Sequence, residues 1–281
     1  MKIEFFGVRG SIPSPGPSTV RYGGNTVCVK LKLADGTLLI CDAGTGLRDL
    51  GKQLIEKPPK GPINMMLTHV HWDHIIGIPF FAPLYRRETH LKLWPLANEA
   101  HEASRRGGIL FDGVHFPVRG EDVPAKIERV NDPGAVWRIG SAQVRRIAMN
   151  HPGGAQGFRI DDDDGKSFCY LTDNELAPPG ALTTPMDELA HFADEVDVLV
   201  HDAQYLASDM PAKHGWGHST IDDVLRLAKK AHTKRVVLFH HEPERDDDEL
   251  DAIAESTTAW LHEHAPGTRG TVASEGLLIK L

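Results

Sequence analysis

Thr68-His69-Val70-His71-Trp72-Asp73-His74 (THVHWDH, 68–74) closes the apolar run Asn64-Met65-Met66-Leu67 and opens a second one at Ile75-Ile76. A short apolar run that ends in polar residues is how a buried strand delivers side chains to a loop, and chemistry concentrates on such loops. Alternate residues at a strand end project to one side, so His69 and His71 can approach the same ion. Asp73 and His74 follow on the turn into the next segment, where they can serve a second ion. Neutral imidazole and carboxylate suit zinc, with manganese or iron as alternatives, and a catalytic ion keeps a position open for water. Four polar residues in a plain surface turn would be the bland alternative. An HxHxDH spacing at a strand-to-helix junction argues against it.

Around that segment the chain looks like an ordinary globular protein. Its 281 residues are 41% hydrophobic and 25% charged, enough for one large core and unlike a disordered chain. The formal net charge of −8 disfavours non-specific attraction to nucleic acid or anionic membrane. The start, MKIEFFGVRGSIPSPG, lacks a signal-peptide apolar stretch, and no run approaches the roughly 20 apolar residues that span a bilayer. These features predict a cytoplasmic protein with no membrane partner, and they leave a homodimer open. The three cysteines, Cys28, Cys41 and Cys169, lie in strand-like runs without a CxxC, which predicts buried reduced thiols. The compositional signal is the 16 histidines, several of them placed directly after apolar runs.

The first third alternates strands and turns: KIEFFGV (2–8), TVCVKLKL (26–33) and TLLICDA (37–43), the last two joined by Asp35-Gly36. A helix is predicted at about 45–56, a strand at NMMLTHV (64–70), and a largely buried helix over HIIGIPFFAPLY (74–85). Residues 96–107 suit a second helix, and 108–135, rich in Gly and Pro, suit a long loop; together 96–135 form an expected cap. Further on, AQVRRIAMN (142–150) is a strand leading to His151. GFRIDDDDGKSFCYLTD (157–173) is a hairpin ending at Asp173, whose DDDDGK lacks EF-hand spacing and is taken as a solvated turn. Strands at DVLVHDA (197–203) and RVVLFHH (235–241), helices at Ser219–Ala231 and Asp247–His262, and a closing edge strand in TVASEGLLIKL (271–281) complete the pattern. Two strand-rich halves with outer helices and no linker suit one layered α/β domain spanning 1–281, an αββα sandwich.

The HxHxDH segment resembles the signature of the metallo-β-lactamase superfamily, and further candidate ligands follow in that family's order. The resemblance implies two divalent ions. His69, His71 and His151 would hold one, Asp73, His74 and His240 the other, and Asp173 would bridge them. His240 is preferred to the adjacent His241, because successive strand residues point to opposite faces; His241 would then support the site or touch substrate. HDAQY (201–205) followed by GWGHST (215–220), with AKKAHTKRVVLFH (228–240) downstream, resembles the ribonuclease Z-like branch. That branch pairs a carboxylate with a histidine at these places. Carried over, Asp202 would orient His218, and His218 would stabilise or protonate the reacting group, with Asp73 also in the catalytic set. The stretch GVRGSIPSPGPSTVRYGGNT (7–26) resembles cyclic-nucleotide-phosphodiesterase-like members, which makes Arg9, Arg21 and Asn25 candidate substrate contacts beside the equal prospect of an ordered structural loop. Asp42, in LICDAGTGLRDLG (39–51), is expected beside the metals rather than in a dinucleotide site, since no acidic residue follows about 20 positions on.

The implied reaction is hydrolysis of a phosphodiester by a hydroxide held between two metals. Asp173 in place of a cysteine separates the chain from true β-lactamases, and His71 in place of a glutamate separates it from the oxygen-reducing diiron branch. Thioester and lactone hydrolases share the ligands but need no Asp202/His218 pair. Ribonuclease Z relatives grip tRNA with an arm between the ligands matching His151 and Asp173, where this chain has only the 21 residues 152–172. The expected substrate is therefore a small phosphodiester such as a cyclic nucleotide, with Trp72, Trp216, Phe111, Phe116 and Tyr205 as candidate base-stacking groups. A tRNA 3′-processing endonuclease, a thioester or lactone hydrolase, and a metal-stabilised binding protein without catalysis are the alternatives.

Overall fold

In the computed structural model, which describes residues 1–95 and 109–281, two seven-stranded mixed sheets face each other. The first sheet contains β1 (Lys2–Gly7), β2 (Cys28–Lys32), β3 (Leu38–Cys41), β4 (Ile63–Met66), β5 (His90–Leu93), β6 (Lys126–Arg129) and β14 (Leu278–Lys280), in the order β14-β1-β2-β3-β4-β5-β6. The second contains β7 (Val136–Ile139), β8 (Ala142–Met149), β9 (Ala155–Asp162), β10 (Ser167–Leu171), β11 (Val198–Asp202), β12 (Arg235–Phe239) and β13 (Arg269–Val272), in the order β13-β12-β11-β10-β9-β8-β7. Helix α1 (Leu47–Glu56) covers the first sheet. Helices α3 (Met186–Phe192), α4 (Ile221–Lys230) and α5 (Asp247–His264) cover the second. The four-layer αββα arrangement is the expected one.

Strand periodicity explains the layers. Phe168 and Tyr170 face the inter-sheet core with Ile3, Phe5, Leu31 and Phe239, while Cys169 and Leu171 face the helices. Val237 and Val236 divide the same way two strands over. Buried on both faces, these strands read as continuous apolar runs in the sequence. All three cysteines are buried and free. Among the described residues no helix is long and apolar enough to cross a membrane.

Several elements differ from expectation. HIIGIPFFAPLY is not one helix: α2 spans only Trp72–Ile75, and two 3₁₀ turns follow at Ile78–Phe80 and Ala82–Tyr85. Pro79 and Pro83 lack the N–H that an α-helix interior needs. The expected helix at 96–107 lies outside the described residues. Within 109–135, expected to be irregular, the chain forms two 3₁₀ turns and then β6, which pairs with β5 in parallel. Strand β7 and helix α3 went unforeseen. TVASEGLLIKL holds not one strand but the end of β13 and all of β14, which close the edges of different sheets. In the acidic turn Asp162 is buried rather than solvated, accepting from the Ala34 amide (2.8 Å) and Ser141 Oγ (2.6 Å).

The topology gathers the chemistry at one end. Strand β8 is antiparallel to β9 and β9 to β10, so β8 runs with β10, β11 and β12. In the first sheet β3 and β4 are parallel. Their C-terminal ends carry Asp42, His69, His151, Asp173, Asp202 and His240 into one cleft. Gly44, just after β3, packs against the segment that follows β4: a Cβ on it would lie 2.2 Å from the Asp73 carbonyl oxygen, so the GTG turn is a close backbone contact, not a phosphate loop.

Candidate metal centre

Seven side chains from four chain segments converge. Ligand atoms of His69, His71 and His151 lie within 4.8 Å of one another, and so do those of Asp73, His74, Asp173 and His240. His71 Nδ1 and His151 Nε2 are 3.1 Å apart. Asp173 Oδ2 sits 3.7 Å from His69 Nε2 and 3.8 Å from His151 Nε2, while its Oδ1 lies 3.1 Å from His74 Nε2 and 3.2 Å from His240 Nε2. One carboxylate therefore presents an oxygen to each cluster. Asp73 Oδ2 reaches the second cluster only, 3.4 Å from His74 Nε2 and 3.2 Å from His240 Nε2.

These donors fit metal ions. His69 Nε2 is buried without a hydrogen-bond partner, a costly state for a ring nitrogen unless something else takes up its lone pair. The far nitrogens are held by the protein, as imidazole ligands usually require. His240 Nδ1 donates to Gln204 Oε1 (2.9 Å) and His151 Nδ1 to the Gly217 carbonyl (3.0 Å). His74 Nδ1 is 3.0 Å from Asp42 Oδ2, whose carboxylate also accepts from the Thr68 amide and hydroxyl and from Tyr170 Oη. Each arrangement leaves Nε2 facing the cluster.

Charge differs between the two halves. Burial, with help from neighbouring imidazoles, keeps His69 well below the ordinary histidine range. Burial lowers His71 and His151 as well, against the attraction of Asp173. In the other half burial opposes protonation of His74 and His240, but the Asp173 and Asp73 carboxylates outweigh it, raising His74 and pushing His240 up to about 9. The imidazoles in turn hold both carboxylates far below their usual range, against the cost of burial. Protons on this carboxylate-rich half occupy positions that a divalent cation would take by displacing them.

His218 and Asp202 meet as expected. His218 Nδ1 donates to Asp202 Oδ2 at 2.6 Å, and the imidazole stacks on His240 at 4.9 Å between centroids. An open cleft of about 250 Å³ is lined by Ser11, His71, Trp72, Asp73, Asp173 and His218.

Other expectations are corrected. His241 turns away from the clusters; its Nε2 donates to the Ala273 carbonyl (2.8 Å), and burial lowers it to about 3. It is not among the residues that line the cleft. Arg9 is fully buried, donating to the carbonyls of Gly23, Glu242 and Arg245. Arg21 pairs with Asp248 and Asp251, and Asn25 with Glu275. All three brace the N-terminal loop. Tyr205 is buried, and Phe116 packs against Phe80 and Phe111, so of the five aromatic candidates Trp72 and Trp216 are the strongly exposed ones. Unforeseen were Gln204, which orients His240, and buried Glu175, which accepts from the Gly215 and Gly217 amides at 2.9 Å. Ser11 was also missed; its amide donates to Asp73 Oδ2 at 2.8 Å. No spacing marks them, because each works through a partner distant in sequence.

The two adjacent histidines should separate cleanly. Elemental analysis after zinc loading should show about two ions in the wild type, as paired-metal sites hold, and clearly fewer in His240→Ala. His241→Ala should keep full metal content while losing about 1–3 kcal/mol of stability from the orphaned Ala273 carbonyl. The opposite pattern would shift the ligand assignment by one residue.

The model of the family described as beta-lactamase superfamily domain matches residues 37–241. The chain is similar to the ribonuclease Z of Halalkalibacterium halodurans, 24% identical over 304 aligned positions covering 92% of this chain and 94% of that protein. Among solved structures it is similar to the metallo-beta-lactamase fold protein YhfI of Bacillus subtilis, at TM-score 0.69 and 17% identity over 99% of this chain and 98% of that one. Unliganded yeast PDE1 is similar at TM-score 0.67 and 17% identity, over 100% and 99% of the two chains. At these identities the structural likeness speaks for the fold.

Proposed function

The chain belongs to the beta-lactamase superfamily domain family, and we propose that it is a dinuclear metal-dependent phosphodiesterase. His69, His71 and His151 would hold one ion, Asp73, His74 and His240 the other, and Asp173 both. Zinc is the assigned metal, with manganese or iron as alternatives. When bound, such ions supply Lewis acidity toward phosphoryl oxygens and activate water.

The observation that carries the phosphodiesterase reading is His218 hydrogen-bonded to Asp202 on the wall of the same cleft. Asp202 accepts the Nδ1 proton, which sets the ring's orientation and leaves Nε2 as the nitrogen available to substrate. When both ring nitrogens are protonated, His218 can give its Nε2 proton to the departing oxygen or stabilise charge on the phosphoryl group. Thioester and lactone hydrolysis would make no use of such a pair. The Ser11 amide and Gln204 keep Asp73 and His240 in place while this happens.

The substrate we favour is a small phosphodiester such as a cyclic nucleotide. Residues 152–172 are spent on a short turn, β9, the Asp163–Lys166 turn and β10, which leaves no arm to grip a folded RNA. A second reading has its own support: the relatives named ribonuclease Z speak for RNA, and a net charge of −8 does not by itself set nucleic acid aside. One zinc-loaded preparation offered cyclic nucleotides and a precursor tRNA should hydrolyse the former and process the latter poorly. Efficient and accurate tRNA 3′ cleavage at physiological salt would reverse the choice. A cytoplasmic, single-domain protein is the context we assign, supported by free buried cysteines, and a homodimer is the assembly to test by sedimentation.

A further inference from the structure

Two tryptophans, one lining the metal cleft and one two residues before a cleft-lining histidine, are left in solvent. Trp72 lines the cleft and is 53% exposed; Trp216, two residues before His218, is 58% exposed. Exposed indoles forgo a large burial gain, and contiguous exposed aromatic surface usually marks binding. Trp216 is also held in an unusually ordered loop. It lies between Gly215 and Gly217, both with left-handed backbone (φ 87° and 89°), and the amides of both glycines donate to buried Glu175. Gly217 packs so tightly on His151 that a Cβ there would come within 2.3 Å of Nδ1. The loop carrying Trp216 is thus tied directly to the candidate metal set.

Beneath the ring, Lys213 Nζ lies 4.6 Å from the Trp216 centroid and 5.5 Å from that of Tyr205, with Glu242 at 3.4 Å. The cation occupies the Trp216 ring on one side, and much of the indole still faces water. A fixed, solvated aromatic face beside a phosphoryl-binding centre is how proteins stack nucleobases. Trp72, at the first residue of α2 between His71 and Asp73, offers a ring on the cleft itself.

We propose that Trp216, together with Trp72, forms a stacking subsite that selects phosphodiesters carrying a nucleobase. The proposal rests on the phosphodiesterase reading for its phosphate position, but binding alone can test it. Zinc-loaded full-length protein would be titrated calorimetrically with adenosine 5′-monophosphate and with ribose 5-phosphate. Base stacking typically contributes a factor of roughly 5–150, the equivalent of about 1–3 kcal/mol, so the nucleotide should bind tighter by that range. Trp216→Ala should abolish the difference without weakening ribose 5-phosphate, and Trp216→Phe should restore most of it. Trp72→Leu should reduce it, with zinc content unchanged by elemental analysis. Equal affinity for the two probes in the wild type, or equal weakening of both in Trp216→Ala, overturns the subsite. Turnover is scored separately. A base preference in binding without hydrolysis of any phosphodiester would leave the subsite standing and remove the phosphodiesterase reading; hydrolysis without base preference would do the reverse.

Discussion

His218→Ala should slow hydrolysis of a cyclic nucleotide by about 10²–10⁴-fold, the usual contribution of a general acid, while leaving metal content unchanged. A ribose oxygen leaves as a strongly basic alkoxide and needs a proton as its bond to phosphorus breaks. A nitrophenolate needs little help, so the same variant should lose much less on bis-p-nitrophenyl phosphate. The 2.6 Å bond to Asp202 predicts a graded companion result. Asp202→Asn keeps the imidazole but removes the charge that orients it, and should show the same selectivity in milder form. Asp202 also accepts from the Gln204 amide at 3.0 Å, and Gln204 holds His240, so metal analysis must accompany this variant. Parallel steady-state measurements on the two substrate types decide the matter. Equal losses on both would return His218 to a structural or phosphoryl-binding role.

A still larger loss is expected at Asp173. Its two oxygens face different clusters, Oδ1 toward His74 and His240 and Oδ2 toward His69 and His151. Asp173→Ala should therefore lower occupancy of both ions, whereas His151→Ala should weaken only one. Each ion supplies several kcal/mol of transition-state charge stabilisation, and about 4 kcal/mol is a factor of 10³. Activity should thus fall by roughly 10³-fold or more. Elemental analysis and a zinc titration followed by a chelating dye would read the metal loss independently of turnover. Retention of both ions in Asp173→Ala would show that the clusters are held separately. Asp173→Asn, which keeps one accepting oxygen but no charge, should fall between the two.

Legibility followed the range over which each signal acts. His69, His71, Asp73 and His74 announce themselves within six positions, because a strand end and the following turn place near neighbours together. Asp42, Asp173, His240 and Ser11 could be suspected or missed as residue types. Their left-handed backbone, with φ between 56° and 61°, is visible only in three dimensions. Such strain in non-glycine residues gathers where surrounding structure over-determines a functional geometry. The helix expected over 74–85 failed for a local reason, two prolines within an apolar run, and that signal was present in the chain. His241 was misjudged because an apolar run ending in His-His does not say where the second imidazole finds its acceptor. The Ala273 carbonyl, from the segment after β13, supplies it.

The sequence by itself determined most of the strand runs, the apolar strand pattern, the buried thiols and the identity and order of the candidate ligands. These depend on side-chain chemistry and on periods of a few residues. Tertiary structure alone decided which oxygen of Asp173 faces which cluster and which nitrogen of each imidazole is free. It also decided that Arg9 braces a loop instead of meeting substrate, and that Glu175 fixes the turn bearing Trp216. Each of those outcomes depends on a hydrogen bond or ion pair between residues tens to hundreds of positions apart. Such partners are chosen only when parallel strands of two sheets bring their ends into one cleft, because the energy of a buried polar group is set by what lies within about 3 Å of it and not by its neighbours along the chain.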